Sequence, residues 1–241
     1  MTLVRTLAKS TAQAGRKLLR YAGVPSVGEA DEHDVLVPIF SMTPEHVPEL
    51  KAHMIALDAQ DRYLRFGYQA SDEQITRYVD QLDFDRDEIF GIFNRRLEVV
   101  AMAHVAIMRE LDREPLAEFG VSVSSYARGR GYGARLFERA VMHARNEKVT
   151  LMYIHALSEN APMIRIARNA GAIIERDGSE TEAYLRLPKR SLDSRLSEVL
   201  ANQYAKANYS AKEDAQRFWS FLQDVGEIRQ GVRQARRQSG Q

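Results

Sequence analysis

Arg128-Gly129-Arg130-Gly131-Tyr132-Gly133 has the composition of an anion-binding turn. Glycine lacks a Cβ, so it reaches positive φ and lets main-chain N–H groups come close to a ligand. Upstream, Phe119, Val121 and Val123 alternate with small or polar residues, the pattern of a half-buried strand. Downstream, Phe137, Ala140, Val141 and Ala144 recur at helical spacing and mark a buried helix face. A glycine turn from strand to helix aims free amides and the positive end of the helix dipole at one point. Arg128 and Arg130 add charge. The chemistry this predicts is the binding of a phosphate or pyrophosphate.

Ten residues before Arg128 stands Glu118, on a strand that puts Glu118, Gly120 and Ser122 on one face and Phe119, Val121 and Val123 on the other. A carboxylate beside an anion-binding turn is a candidate general base; its structural alternative is a solvated carboxylate at a strand edge. Three phosphate loops compete for the glycines. A P-loop is excluded, because no Gly-Lys-Ser/Thr follows. A relaxed dinucleotide fingerprint fits Gly129, Gly131 and Ala134, with Leu151 to Leu157 leading to Glu159 as the acidic partner. That reading would make the chain a nucleotide-binding oxidoreductase, but Ser124 to Arg128 separate the glycines from their strand.

In the third reading, Arg128-x-x-Gly131-x-Gly133 resembles the R/Q-x-x-G-x-G/A pyrophosphate loop of the GNAT superfamily of N-acetyltransferases. Ala117-Glu118-Phe119-Gly120-Val121-Ser122-Val123 resembles the fourth strand of that family. Asn160 through Gly171 resembles its second signature, an asparagine opening a helix that closes at a glycine. The resemblance implies acetyl-CoA as donor and direct transfer to a primary amine, on a protein lysine or a small molecule. It implies that main-chain groups of Val121 and Val123 pair with the pantetheine arm, that Arg128, Gly129, Arg130, Gly131, Tyr132 and Gly133 hold the pyrophosphate, and that Asn160 touches the cofactor arm as well as capping its helix. Glu118 resembles the general base proposed for bacterial protein-lysine acetyltransferases of the superfamily, whose strand also begins Ala-Glu-Phe. An alkyl ammonium has a pKa near ~10.4, so a base is needed to make it a nucleophile. One departure stands out: where many relatives carry a tyrosine that protonates the leaving thiolate, this chain has Ala167. Tyr126, Tyr132, Tyr153 or water would have to serve instead. An alternative with the same fold is a catalytically weak acetyl-CoA-binding module with a regulatory or scaffolding role.

Composition narrows the classes further. In 241 residues, 34 basic side chains against 33 acidic ones leave a net charge of +1, which argues against a protein devoted to nucleic-acid backbones. Zero cysteines exclude disulfides and thiolate chemistry and suit a cytoplasmic setting. No apolar run approaches the ~20 residues of a membrane span. The six histidines, at 33, 46, 53, 104, 143 and 155, show no metal-ligand spacing, so no metal is expected.

The elements that must position these residues follow from periodicity. Leu36 to Phe40 reads as a strand, Thr43-Pro44 as a helix start, and Ser71 with Gln74 as a capping box for a helix buried through Ile75, Val79 and Leu82. Asp61 to Gly67 falls between these two helices, where an acceptor site would be shaped; packing of Tyr63, Leu64 and Phe66 under a loop is the plainer account. Ile89 to Phe93 and Val99 to Met108 make a hairpin around Asn94 to Arg96. After the glycine turn and its helix come a strand at Leu151 to Leu157, the Asn160 helix, and strands at Ala172 to Ile174 and Ala183 to Leu187. The order is that of a single α/β domain with a twisted, mixed, mostly antiparallel sheet flanked by helices. We expect a basic N-terminal extension and linker over 1–32, the domain over 33–189 and a helical extension over 190–241. The extension, periodic in Leu192, Leu196, Val199 and Leu200 and again in Phe218, Phe221, Leu222 and Val225, would pack on its own domain or pair two subunits. Residues 1–23 carry five basic side chains and no acid, as a membrane-surface, transit or loosely docked helix would.

Overall fold

The computed structural model describes residues 37–109, 114–177, 180–188, 195, 197–214 and 216–217. Seven strands form one sheet in the order β1-β2-β3-β4-β5-β7-β6. They are β1 (Phe40–Ser41), β2 (Glu88–Phe93), β3 (Val99–Met108), β4 (Leu116–Val123), β5 (Leu151–Leu157), β6 (Ile173–Asp177) and β7 (Glu180–Arg186). Every pairing is antiparallel except β4 with β5. The hairpin from β2 to β3 turns where Asn94 Oδ1 accepts the N–H groups of Arg96 and Glu98.

Two helical layers cover the sheet. On one face lie α1 (Val47–Ile55), α2 (Ala59–Phe66) and α3 (Asp72–Asp80); on the other lie α4 (Tyr132–Asn146) and α5 (Ala161–Asn169). Ser71 and Gln74 form the expected reciprocal cap of α3. α2 is an element that periodicity did not reveal: Asp58 accepts the Asp61 N–H at 2.8 Å and Gly67 ends the helix at φ +79°. Asp61 to Gly67 is therefore helix and C-cap, not a loop. Thr43-Pro44 opens a short 3₁₀ turn, Pro44–His46, before α1 begins at Val47. The first strand pairs only at Phe40 and Ser41, shorter than Leu36 to Phe40 suggested.

Strand alternation divides the core. Phe90, Ala101, Ala103, Val105 and Phe119 pack under Leu136, Phe137 and Ala140 of α4, with Phe119 and Phe137 edge to face at 5.0 Å. Ile89, Met102, Leu50, Met54, Ile75 and Val79 fill the opposite face. Each fully buried side chain of this size contributes about 1.5–3 kcal/mol, so the sheet is fixed from both sides. His53 lies in this second layer between Ser122 Oγ, 2.8 Å from Nε2, and Val99 O, 3.1 Å from Nδ1. Burial pulls its pKa down to about 4, the Val99 carbonyl opposing. A histidine whose folded pKa is depressed stabilises the fold fully above about 6.5 and loses that stability as pH falls toward about 4. The loss is on the order of 3 kcal/mol. Urea unfolding at pH 7.5, 5.5 and 4.5 should show it, with His53→Gln removing much of the slope.

A further helix, α6, runs through 197–214 and docks back on the domain. Its Glu198 receives Arg139 at 3.3 Å and His143 at 2.8 Å, both from α4, and also Asn146. Burial raises the Glu198 pKa, but the bonds from His143 and Asn146 and the charges of His143 and Arg139 outweigh it and hold the carboxyl down at about 2. Tyr209 stacks on Phe40 at 4.8 Å, and Lys212 reaches the Phe93 carbonyl at 2.9 Å. Val199 and Leu200 thus belong to an element that packs in cis. Leu192, Leu196, Phe218, Phe221, Leu222, Val225 and the basic segment 1–23 lie outside the described residues. Glu198→Ala should cost about 3 kcal/mol, because it strands the buried Arg139 guanidinium; chemical denaturation measures it.

Candidate active site

β4 is paired along its whole length with β3, from Leu116↔Met108 to Val123↔Ala101. On its other edge the parallel ladder to β5 runs Leu116↔Leu151, Ala117↔Met152, Glu118↔Tyr153 and goes no further. The two strands diverge from that point. Ser124 donates its N–H to Val100 O at 2.9 Å, so its main chain faces β3. Alternation then turns the N–H and C=O groups of Val121 and Val123 the other way, into the wedge between β4 and β5. Among the described residues no strand satisfies them there.

The wedge leads into the glycine turn. After a 3₁₀ turn, Ser125–Ala127, the chain passes through Gly129 at φ +75° and Gly131 at φ +73° before α4 begins at Tyr132. Among the described residues, and leaving aside each glycine and its chain neighbours, no heavy atom lies within 4 Å of where a Cβ would stand on Gly129 or Gly131. Gly133 is tighter, its missing Cβ 3.3 Å from Ile166 Cδ1, which lets α4 sit close to α5. α4 has no side-chain cap and no acid in its first turn, so its leading N–H groups keep their charge for a ligand. Arg130 is exposed, whereas Arg128 forms an ion pair with the buried Asp61 of α2. Asn160 caps α5, its Oδ1 accepting the Met163 N–H at 3.2 Å. The turn is open at the surface, as a diphosphate site requires.

Glu118 is exposed at the vertex of the wedge, on the face covered by α1 to α3. Tyr153 is its cross-strand neighbour on β5. Beside it lies a hydrogen-bonded chain that sequence spacing gave no hint of. Arg65 Nη2 donates to Tyr78 Oη at 2.7 Å, Tyr78 Oη lies 2.9 Å from His104 Nδ1, and His104 Nε2 lies 3.0 Å from Asp87. An arginine only donates and a carboxylate only accepts, so Tyr78 must donate to Nδ1 and His104 must carry its proton on Nε2. Burial raises the Tyr78 hydroxyl pKa, Arg65 opposing and Glu118 and Asp87 assisting, which keeps the proton on oxygen. Burial likewise lowers the His104 pKa against the pull of Asp87, which keeps the ring neutral. For Asp87 burial pushes upward, but bonds from Arg86, His104 and the Ile107 N–H prevail and hold it ionised.

A strand that loses its neighbour just before a glycine turn, with the turn's amides leading a helix, is one arrangement for an extended ligand ending in a diphosphate. The model of the acetyltransferase (GNAT) family matches residues 54–172, which takes in α2, the wedge, the glycine turn and the Asn160 helix. That stretch is a GNAT acetyltransferase-family domain. It is an acyl-CoA N-acyltransferase, with acetyl-CoA as donor. Solved structures of this GNAT fold resemble it at low identity. The GNAT domain of S. lividans PAT is 18% identical, with 66% of this chain and 100% of that one covered at a TM-score of 0.55. An acetyltransferase from Salmonella typhimurium, solved with its cofactor acetyl-CoA, is 15% identical over 65% of this chain and 97% of that one at 0.50. The ribosomal-protein-S5-alanine acetyltransferase of Vibrio fischeri is 8% identical over 62% and 92% at 0.51.

In this GNAT domain Ala167 is 1% exposed and faces the core, so position 167 offers no proton donor to the wedge. Of the other candidates, Tyr126 stands in solvent, Tyr132 packs partly against the core at the head of α4, and Tyr153 lies half-buried beside Glu118. Among the described residues no helix is long and apolar enough to cross a membrane, and no group of three His, Asp or Glu side chains could hold a metal.

Proposed function

We propose that this enzyme moves the acetyl group of acetyl-CoA directly to a primary amine, on a protein lysine or a small molecule, with Glu118 as general base. The observation that carries the reading is the end of the β4–β5 ladder at Glu118↔Tyr153: the Glu118 carboxylate and the open main-chain edge meet at one point. The amides of Val121 and Val123 would complete their hydrogen bonds with the pantetheine arm as with an added strand. Those of Gly129 to Gly133, with Arg128, Arg130 and the head of α4, would hold the diphosphate, and Asn160 would border the arm.

Bound in this way, the donor supplies an acetyl thioester. Glu118 accepts a proton from the acceptor ammonium, the nitrogen lone pair forms the new N–C bond as the C–S bond breaks, and the second nitrogen proton passes to solvent or to the departing thiolate. A β4 amide stabilises the charge that develops on the carbonyl oxygen. The electron pair leaves on sulfur, and a thiol with a pKa near ~8.5 departs near neutral pH without an obligatory acid, which accommodates Ala167. Residues 33–189 form the catalytic unit in this reading, and within the extension over 190–241 helix α6 braces α4. Thiol release from acetyl-CoA against a panel of amines and lysine proteins tests the reading: turnover with at least one amine supports it, and tight CoA binding with no amine turned over would leave only a binding module. Calorimetry showing NAD bound and CoA ignored would contradict it altogether.

A further inference from the structure

We propose that the acceptor presents a carboxylate within several ångströms of its reactive amine, and that Arg65 binds this carboxylate while Glu118 takes the ammonium. The proposal rests on amine acetylation beside Glu118 and adds the chemical class of the acceptor. Glu118, Gly120 and Ser122 share one face of β4. A Cβ on Gly120 would lie 2.6 Å from Arg65 Nη2, 2.7 Å from Cζ and 2.9 Å from Nη1. The guanidinium therefore lies flat on the strand where a side chain would otherwise stand, on the residue pair next to the base.

This cation is held firmly, and among the described residues no carboxylate forms an ion pair with it. Its one hydrogen bond among the described residues goes to Tyr78, and its Nε is buried with no partner. The rings of Phe66 and Tyr78 flank it, each centroid 5.3 Å from Cζ. Tyr78, His104 and Asp87 fix its direction through bonds whose donors and acceptors are all determined. Asp87, the only carboxylate of this chain of bonds, is spent on His104, Arg86 and the Ile107 amide. Asp61, one turn earlier on α2, is spent on Arg128.

Positions two apart on a strand are roughly 6.6 Å apart. That separation admits a small zwitterion with its ammonium on Glu118 and its carboxylate on Arg65, each at hydrogen-bond distance. A plain alkylamine would satisfy Glu118 and leave the guanidinium uncompensated, and a polycation would be repelled. Guanidinium is the side chain that pairs with carboxylate through two parallel bonds.

Two sources share this chemistry, a free amino acid and a lysine with an acidic neighbour in a protein. Initial rates of thiol release from acetyl-CoA are measured on the common amino acids, their carboxamides and the matching amines without the carboxyl group. A second arm uses lysine peptides carrying Glu or Gln beside the lysine. The expected result is a preference of about 10- to 100-fold in kcat/KM for the carboxylate member of a pair, carried by KM. Preference among free amino acids identifies a small-molecule acceptor; preference among peptides alone identifies a protein one. Arg65→Gln should erase the preference by raising KM for carboxylates far more than for their amides, with CoA affinity unchanged, and Arg65→Lys should restore part of it. Tyr78→Phe keeps the ring under the guanidinium and removes the anchor, so it should weaken the preference without loss of fold. Equal rates within pairs, or a preference that survives Arg65→Gln, would overturn the proposal and leave acetyl transfer standing. Failure to turn over any amine would overturn both.

Discussion

Glu118→Gln is expected to lower kcat by about 10²- to 10⁴-fold, the usual contribution of a positioned general base, while CoA affinity stays the same. The two parts of the expectation come from different places in the structure. Glu118 stands at the last paired position of the β4–β5 ladder, where the proposed amine site lies. The proposed diphosphate contacts lie beyond Val123, in the turn from Gly129 to Gly133. The substitution preserves shape and hydrogen-bonding atoms and removes only the ability to take a proton. Steady-state thiol release gives kcat, and calorimetry with CoA gives the affinity. Unchanged turnover would return Glu118 to the status of a solvated strand-edge carboxylate.

Gly131→Val should raise the CoA dissociation constant by about 100-fold or more, equivalent to roughly 2.7 kcal/mol. Two effects combine. At φ +73° an L side chain is strained by about 1–2 kcal/mol, more for a branched one. Its Cβ would also stand in the open space over the turn, where the main chain must approach the diphosphate. Gly67→Val separates the two, because Gly67 has φ +79° and equally open surroundings at the end of α2. It should cost similar stability and leave CoA binding alone. Thermal unfolding and calorimetry on both variants make the comparison; equal effects on CoA binding would show that backbone strain, and not ligand contact, governs the loss.

Local features of the chain were legible from sequence because their causes are local. The glycine turn, the capping box of Ser71 and Gln74, the Asn160 cap and the alternation of β4 each depend on residues a few positions apart. Helix α2 was missed although its signals were present, Asp58 before it and Gly67 after it, because Tyr63, Leu64 and Phe66 suggested packing under a loop. The bond chain from Arg65 through Tyr78 and His104 to Asp87 was not legible at all. Its members come from α2, α3, β3 and the residue just before β2, and only the sheet order and register bring them together beside Glu118. The same holds for Arg128 and Asp61, opposite charges that become neighbours only when α2 lies across β4. The docking of α6 was half visible: Val199 and Leu200 marked a helix, but the residues that seat it include Glu198, Asn202 and Tyr209.

The most direct test of the account is a crystal structure with CoA bound. In it the diphosphate should lie on the amides of Gly129 to Gly133, the pantetheine amides should pair with Val121 and Val123, and the sulfur should sit in the wedge beside Glu118. A CoA molecule seated elsewhere, or one whose sulfur points away from Glu118, would contradict it.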